Sequence, residues 1–497
     1  MWRDPRECGI MIVSKIISNT IIQEDRHMSI IPEKTYNEQS SIRTVTNFFR
    51  QYRLGSALKS ANAYKQKGVP VTVIMKYMVS LIYTGKSMHE DMRSASPLAA
   101  GFRKDAVYRL LNAMFINWGA FLITVAARVA ADISRLTSDD RLNAILFDDT
   151  MFQAAYAKKT ELVSLIHDHA EKGKDKFKWG FRMLTMAWTD GTSLVPLAFR
   201  HLASSDEKKQ RCGVRDGIDK RSRAYRIREE AVTKAPDVML VMLKSALAAG
   251  IAAKHVLFDS WFAYPATIMR IAGLKLHVVA RVKDTTKILY LLAGERKTAR
   301  QIFKESRKRR GRSRYLLSVE IMLRHTEDGK DTTLPARLVY VRNRRKRNEW
   351  IAFVCTDMGL GEDEIIALYG KRWDIEVFFK ICKSYLRLAK EYRQLSYDAL
   401  TAGTAVVMLR YMILAVEKRK REDPRSLGEM FFSCYDEVDD IKFEQAIMYI
   451  MAVLAEVLND DDIGLTEEQI GKLMDSFIQK LPSSIIACLK PGSASKT

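Results

Sequence analysis

The chain has 497 residues, 47% of them hydrophobic, which places it among globular proteins with roughly two to four domains. Its 81 Lys plus Arg against 59 Asp plus Glu give a net charge of +22, which favours polyanionic partners, nucleic acid first, over acidic small molecules. The six cysteines lie far apart without a C-x-x-C pair, which argues against a disulfide scaffold and a structural zinc site.

The longest apolar runs, GAFLITVAARVAADI and AVVMLRYMILAV, are interrupted by Arg128 and Arg410 short of the roughly 18 uninterrupted residues of a membrane span, so no transmembrane helix is expected. The N-terminus MWRDPRECGIMIVSKIISN carries charges where a secretory signal is apolar, and a cytoplasmic, nucleoid-associated protein is expected.

Residues 1–140 have helical periodicity and form an expected N-terminal DNA-binding domain. Within it a helix near 71–84, a turn at Gly85-Lys86-Ser87 and a helix opening at Lys104-Asp105 resemble helix-turn-helix spacing with a lengthened connection. From residue 141 to 283 the texture becomes α/β. RLNAILFDDT is an apolar run ending in acids, and KWGFRMLTMAWTDGTSLVPLAFRHL is two strand-like runs joined at Asp190-Gly191, a hairpin signal. A basic segment, a helix, the strand-like KHVLFDSWF, another helix and KLHVVARV complete an α/β core with mixed pairing. Residues 284–352 alternate basic runs with β-type runs and read as a β-rich insertion. Residues 353–400 return to the core, and 401–497 are helical, with a capping-box start at Thr466-Glu467-Glu468-Gln469 preceded by an acidic solvated turn at Asn459–Asp462.

LYGKRWDIEVFFKICKSYL, residues 368–386, reads as one helix whose polar line is Tyr369, Arg372, Glu376, Lys380 and Lys383, with Trp373, Val377 and Ile381 on a face that can pack. Taken alone, this is an amphipathic helix with an Arg372–Glu376 pair and a wet side. Two further acids alter that reading. Asp148 in ILFDDT and Asp259 in HVLFDSWF each follow an apolar run and so would emerge at the carboxyl edge of a sheet, where ligands gather. Asp148, Asp259 and Glu376 together can hold two Mg²⁺ ions about 3.5–4 Å apart for phosphoryl transfer, and Mn²⁺ can substitute. Arg372 can then clamp a phosphate bidentately, Lys383 can add a point charge and Tyr369 a hydroxyl.

Tyr369, Arg372, Glu376 and Lys383 match the signature Y-x2-R-x3-E-x6-K, and with FDDT and FDSWF upstream the chain resembles DDE transposases of insertion sequences, in the group named for that signature. The resemblance covers most of residues 140–420. It implies an RNase H-like core in two parts (141–283 and 353–400), with Asp148, Asp259 and Glu376 as catalytic, metal-binding residues; Asp149 is adjacent, and which of the pair binds metal stays open. It also implies cut-and-paste transposition on double-stranded DNA, terminal inverted repeats and target alike, by a synaptic homodimer. In that family a Trp of the insertion stacks on a flipped base. Trp350 has a comparable position and is either that residue or a core residue of a strand. The basic runs at 304–314 and 342–347, with Lys220, Arg221, Arg226 and Arg228, have the composition of phosphate-contacting surfaces. His167 and His169 read as structural. Two rivals share the fold: a metal-dependent nuclease that stops after hydrolysis, and a non-catalytic DNA-binding regulator.

Overall fold

The computed structural model describes residues 38–93, 101–136, 143–154, 157–167, 177–309, 313–327, 329–343 and 349–420, with isolated residues beyond 468. Of two compact units, the larger comprises Ile42–Ile82 and Lys86–Pro424. The other, Met1–Ser41, Tyr83–Gly85 and Arg425–Thr497, falls mostly outside the described residues, as do the acidic turn at Asn459–Asp462 and the start of the capping-box helix.

The N-terminal helices are α1 (Glu38–Gln51), α2 (Leu54–Ser60), α3 (Val71–Ser80, continued by a 3₁₀ turn over Leu81–Thr84), α4 (Met88–Arg93), α5 (Lys104–Leu111) and α6 (Trp118–Ser134). Helix α4 intervenes between α3 and α5, so these two are not the helix-turn-helix pair that their spacing predicts. The Asn117 side chain accepts from the Ala120 amide at 3.0 Å to start α6, which buries Phe121, Leu122, Val125 and Val129.

One sheet of 11 strands runs through the larger unit. In chain order the strands are β1 (Ala144–Gln153), β2 (Ser164–His167), β3 (Phe177–Thr189), β4 (Leu194–Leu202), β5 (His255–Phe258), β6 (His277–Arg281), β7 (Tyr290–Leu292), β8 (Glu295–Lys297), β9 (Tyr315–Glu327), β10 (Lys330–Arg342) and β11 (Trp350–Cys355). Their spatial order is β2-β3-β1-β5-β6-β11-β10-β9-β7-β8, with β4 on β3. The expected β3–β4 hairpin forms at Asp190-Gly191, where Gly191 has φ of 86° and the Asp190 carboxylate accepts from the Thr192 and Ser193 amides. Strand β5 is parallel to both β1 and β6, and its four residues are all buried, as strands covered on both faces require. The β9–β10 hairpin joins the same sheet, because β10 pairs with β11 and β11 pairs with β6. The strands of 284–352 thus extend the core sheet, and β11 crosses residue 352.

The later helices are α7 (Arg223–Ala231), α8 (Ala235–Ala248), α9 (Pro265–Ala272), α10 (Ala299–Glu305), α11 (Glu362–Gly370), α12 (Trp373–Ser384) and α13 (Tyr397–Lys420). Helix α12 packs on β1, α11 on β6 and β11, and α6 and α13 on β4. Contrary to expectation, the run AVVMLRYMILAV lies in a helix, α13, long and apolar enough to cross a membrane by length and composition. Its apolar window is entirely buried inside the protein, as in a core helix. Arg410 is accommodated there by the carbonyls of Val79 and Leu386 and by Glu391 at 2.8 Å.

Arg228 also belongs to the core. It is 1% exposed and bonds Glu161 at 2.9 Å and Asp398 at 2.6 Å, while Glu161 accepts from the Tyr397 amide. Its expected role in phosphate contact is therefore corrected: three chain segments meet on this guanidinium, out of reach of any DNA backbone.

Candidate active site

The parallel register of β1 and β5 pairs Ala144 with His255, Ile145 with Val256 and Leu146 with Leu257, so that one step for step continuation brings Asp148 opposite Asp259. The pairing itself ends at Leu146 and Leu257, two residues short of these acids, and their nearness shows in the repulsion that Asp259 exerts on the Asp148 carboxyl. The sequence places both at strand ends, and only Asp259 follows directly on one. Asp148 lies inside β1, because the antiparallel partner β3 holds β1 to Gln153 whereas β5 stops at Phe258. The sheet therefore opens beside Asp148. Asp259 turns out of the sheet, its Oδ1 accepting from the Trp261 amide at 2.7 Å.

The expected single helix over 368–386 is two helices, α11 and α12, with Lys371 and Arg372 between them in helical backbone geometry. The amides of Lys371, Arg372, Asp374 and Ile375 bond three residues back, which tightens the joint. Trp373 is 58% and Val377 41% exposed, which corrects their expected packing: within α12 they lie opposite the face that buries Ile375, Phe378, Phe379 and Cys382, and of the three residues expected to pack only Ile381 is buried. The polar line survives the joint. Arg372 Nη1 donates to Asp148 Oδ2 at 2.8 Å and its Nη2 to Glu376 Oε1. Lys383 Nζ donates to the hydroxyl of Thr150, two residues along β1 from Asp148, at 2.7 Å. Tyr369 packs its ring on Phe353, and the Arg372 guanidinium lies 5.8 Å from the Tyr369 centroid. Lys380 is exposed.

Asp149 pairs with Arg182 at 2.6 Å, so the two adjacent acids of β1 have different arginine partners. Burial, with repulsion from Asp149 and Asp259 and against the pull of Arg372, pushes the Asp148 carboxyl up to about 7. Burial likewise pushes the Tyr369 hydroxyl up to about 12. Among the described residues, no three His, Cys, Asp or Glu side chains stand ready to hold a metal ion. Asp148 and Glu376 instead share the guanidinium of Arg372 as their cation. The donor set itself, three carboxylates with one already crowded by like charge, has the hard-oxygen chemistry of a Mg²⁺ or Mn²⁺ site.

Arg221 is exposed and pairs with Asp219 at 3.3 Å; Arg226 and Lys220 are also exposed. Trp350 is half-buried between Phe303 and Tyr340, three residues along β11 from Phe353, which pairs with Arg281 at the end of β6. His167 is exposed and stacks edge-on against Phe177; His169 lies outside the described residues, as do 310–312 and 344–348 of the basic runs. Sequence reading passed over Arg182, Trp261 and Lys283. The signal for Trp261 was in FDSWF itself, an aromatic just past an acid where a strand gives way to a turn.

A family model described as DDE superfamily endonuclease matches residues 80–347, more than half of the chain. The match takes in Asp148 and Asp259 and ends before Glu376. No curated protein matches the chain. The mixed, helix-flanked sheet is consistent with an RNase H-like DDE fold, and DDE endonuclease domains are generally dependent on divalent metal. With Asp148 and Asp259 near each other past the paired parts of β1 and β5, and Glu376 brought to Asp148 through Arg372, the chain belongs to the DDE superfamily of endonucleases, a transposase-type family.

Proposed function

We propose that the protein is the transposase of an insertion sequence, cutting and joining double-stranded DNA at terminal inverted repeats and target as a homodimer. The observation that carries this reading is Arg372 linked to both Asp148 and Glu376, with Lys383 at Thr150 on the same strand, so that three of the four signature side chains meet at β1 and the ring of the fourth, Tyr369, lies beside Arg372. Asp148, rather than Asp149, would hold the divalent metal with Asp259 and Glu376. A divalent ion held by these residues would supply Lewis-acid chemistry to the attacking and leaving oxygens.

The chain's own residues do the positioning. Arg372 is a planar fork suited to two phosphate oxygens, and DNA gives it an alternative to its carboxylate partners. Lys383 adds a point charge to the backbone, and Tyr369, its hydroxyl still protonated at neutral pH, donates to a phosphate or sugar oxygen. Exposed Arg221 and Arg226 contact phosphates away from the break. The sequence of steps is nicking at the element end, attack of the freed 3′ hydroxyl to close a hairpin, hairpin opening and strand transfer, each a phosphoryl transfer. Trp350 is the stacking residue implied for hairpin formation.

A nuclease that stops at hydrolysis fits the family description equally, and products separate the two. With Mg²⁺ and DNA carrying the gene's own flanks, wild type is expected to give nicks, hairpins and joined strands, and Glu376→Gln to bind but lose about a thousandfold or more in rate. Nicks without hairpins or joints identify the nuclease; binding without any cut identifies a regulator.

A further inference from the structure

Just beyond Asp259, two aromatic side chains stand out of the surface: Trp261 is 43% and Tyr264 40% exposed. Both precede α9, and cations surround them. The Arg182 guanidinium, which holds Asp149, lies 5.1 Å from the Trp261 ring centroid. Lys283, two residues past the end of β6, reaches between the rings, 4.8 Å from Trp261, 5.9 Å from Tyr264 and 3.5 Å from the tyrosine hydroxyl. Arg281, also exposed, ends β6 one residue beyond Ala280, the partner of Phe258.

Their neighbours in sequence, Phe258 and Phe262, are buried, so within this segment only Trp261 and Tyr264 turn their rings to the surface, side by side and among cations. An occupant of this patch must offer a flat π-face together with negative charge for Lys283 and Arg182. An unpaired nucleotide offers both, its base to the rings and its phosphate to the ammonium. A base stacks more strongly than an exposed ammonium does, so Lys283 would yield the ring and move to the phosphate.

We infer that Trp261 and Tyr264 form a stacking platform for an unpaired base of the DNA strand beside the scissile phosphate, with Lys283 contacting that nucleotide's phosphate. The inference rests on the proposed action on DNA and adds a base-binding site distinct from Trp350. Because the Trp261 amide is bonded to Asp259, the platform would set the distance between the stacked base and the carboxylates.

The test uses the full chain without divalent metal, blunt duplex from the gene's flanks, and the same duplex with a short unpaired end carrying 2-aminopurine. Wild type should quench the probe. Trp261→Ala should lose the quench and about tenfold in affinity for the unpaired end, leaving blunt-duplex affinity unchanged. Trp261→Phe should restore most of both, which a folding defect would not. Retained quenching in Trp261→Ala, or equal loss on both DNAs, overturns the platform. Failure of the transposase reading is seen separately, as wild type that binds the same flanks and makes no nick when Mg²⁺ is added.

Discussion

Arg228 and Arg372 each bind two carboxylates, and their surroundings set them apart. Arg228 is sealed among Glu161, Asp398 and the start of α13, with both acids buried. Arg372 is at the opened edge of β1, and its partner Glu376 is about one-third exposed. A buried pair has no alternative partner, so it can only hold the fold; a pair at a sheet edge can exchange its guanidinium for another cation and its carboxylates for a phosphate. The same chemistry is thus a staple in one place and a site in the other.

Breaking each pair should separate the two roles. Arg228→Ala leaves two buried carboxylates uncompensated and should lower stability by about 3–5 kcal/mol in denaturant unfolding. Arg372→Ala should change stability far less yet reduce end cleavage about a hundredfold, measured against unchanged affinity for unrelated duplex. Equal stability losses would erase the distinction.

The pH dependence sharpens it. Asp148 has a folded-state value near 7, above its ordinary value of about 4, so folding takes up a proton there. Its stabilising contribution is present below about pH 4 and is lost as pH rises to 7. In metal-free protein Asp148→Asn should therefore gain on wild type as pH rises through that window, on the order of 1 kcal/mol per pH unit. The smallest effect belongs to the distant cations: Arg221→Ala with Arg226→Ala should reduce the salt slope of DNA binding by about 2, with little change in cleavage of bound DNA.

How much was legible in the sequence follows from how local each cause is. The Asp190-Gly191 hairpin was readable because turn chemistry is written in adjacent residues. The nearness of Asp148 and Asp259 was partly readable, since each follows a short apolar run, but the continuation of β1 to Gln153 depends on β3. The joint at Lys371-Arg372 had a mark in Gly370, which ends α11, and the exposure of Trp373 and Val377 was hidden because it depends on which face of α12 the sheet covers. Arg228 looked like part of a basic surface because its partners lie 67 and 170 residues away. Arg410 seemed to exclude α13 from membrane-like hydropathy, and the carbonyls around it together with the buried Glu391 explain how an arginine sits in a core helix.

The central claim is that Asp148, Asp259 and Glu376 form one divalent site now neutralised in part by Arg372. Calorimetric titration of the DNA-free full chain with Mn²⁺ tests it most directly. Asp148→Asn, Asp259→Asn and Glu376→Gln should each bind at least about tenfold more weakly than wild type, and Arg372→Ala should bind more tightly because the competing cation is gone. If the three acid variants bind Mn²⁺ as wild type does, the carboxylates do not form a common metal site and the account fails.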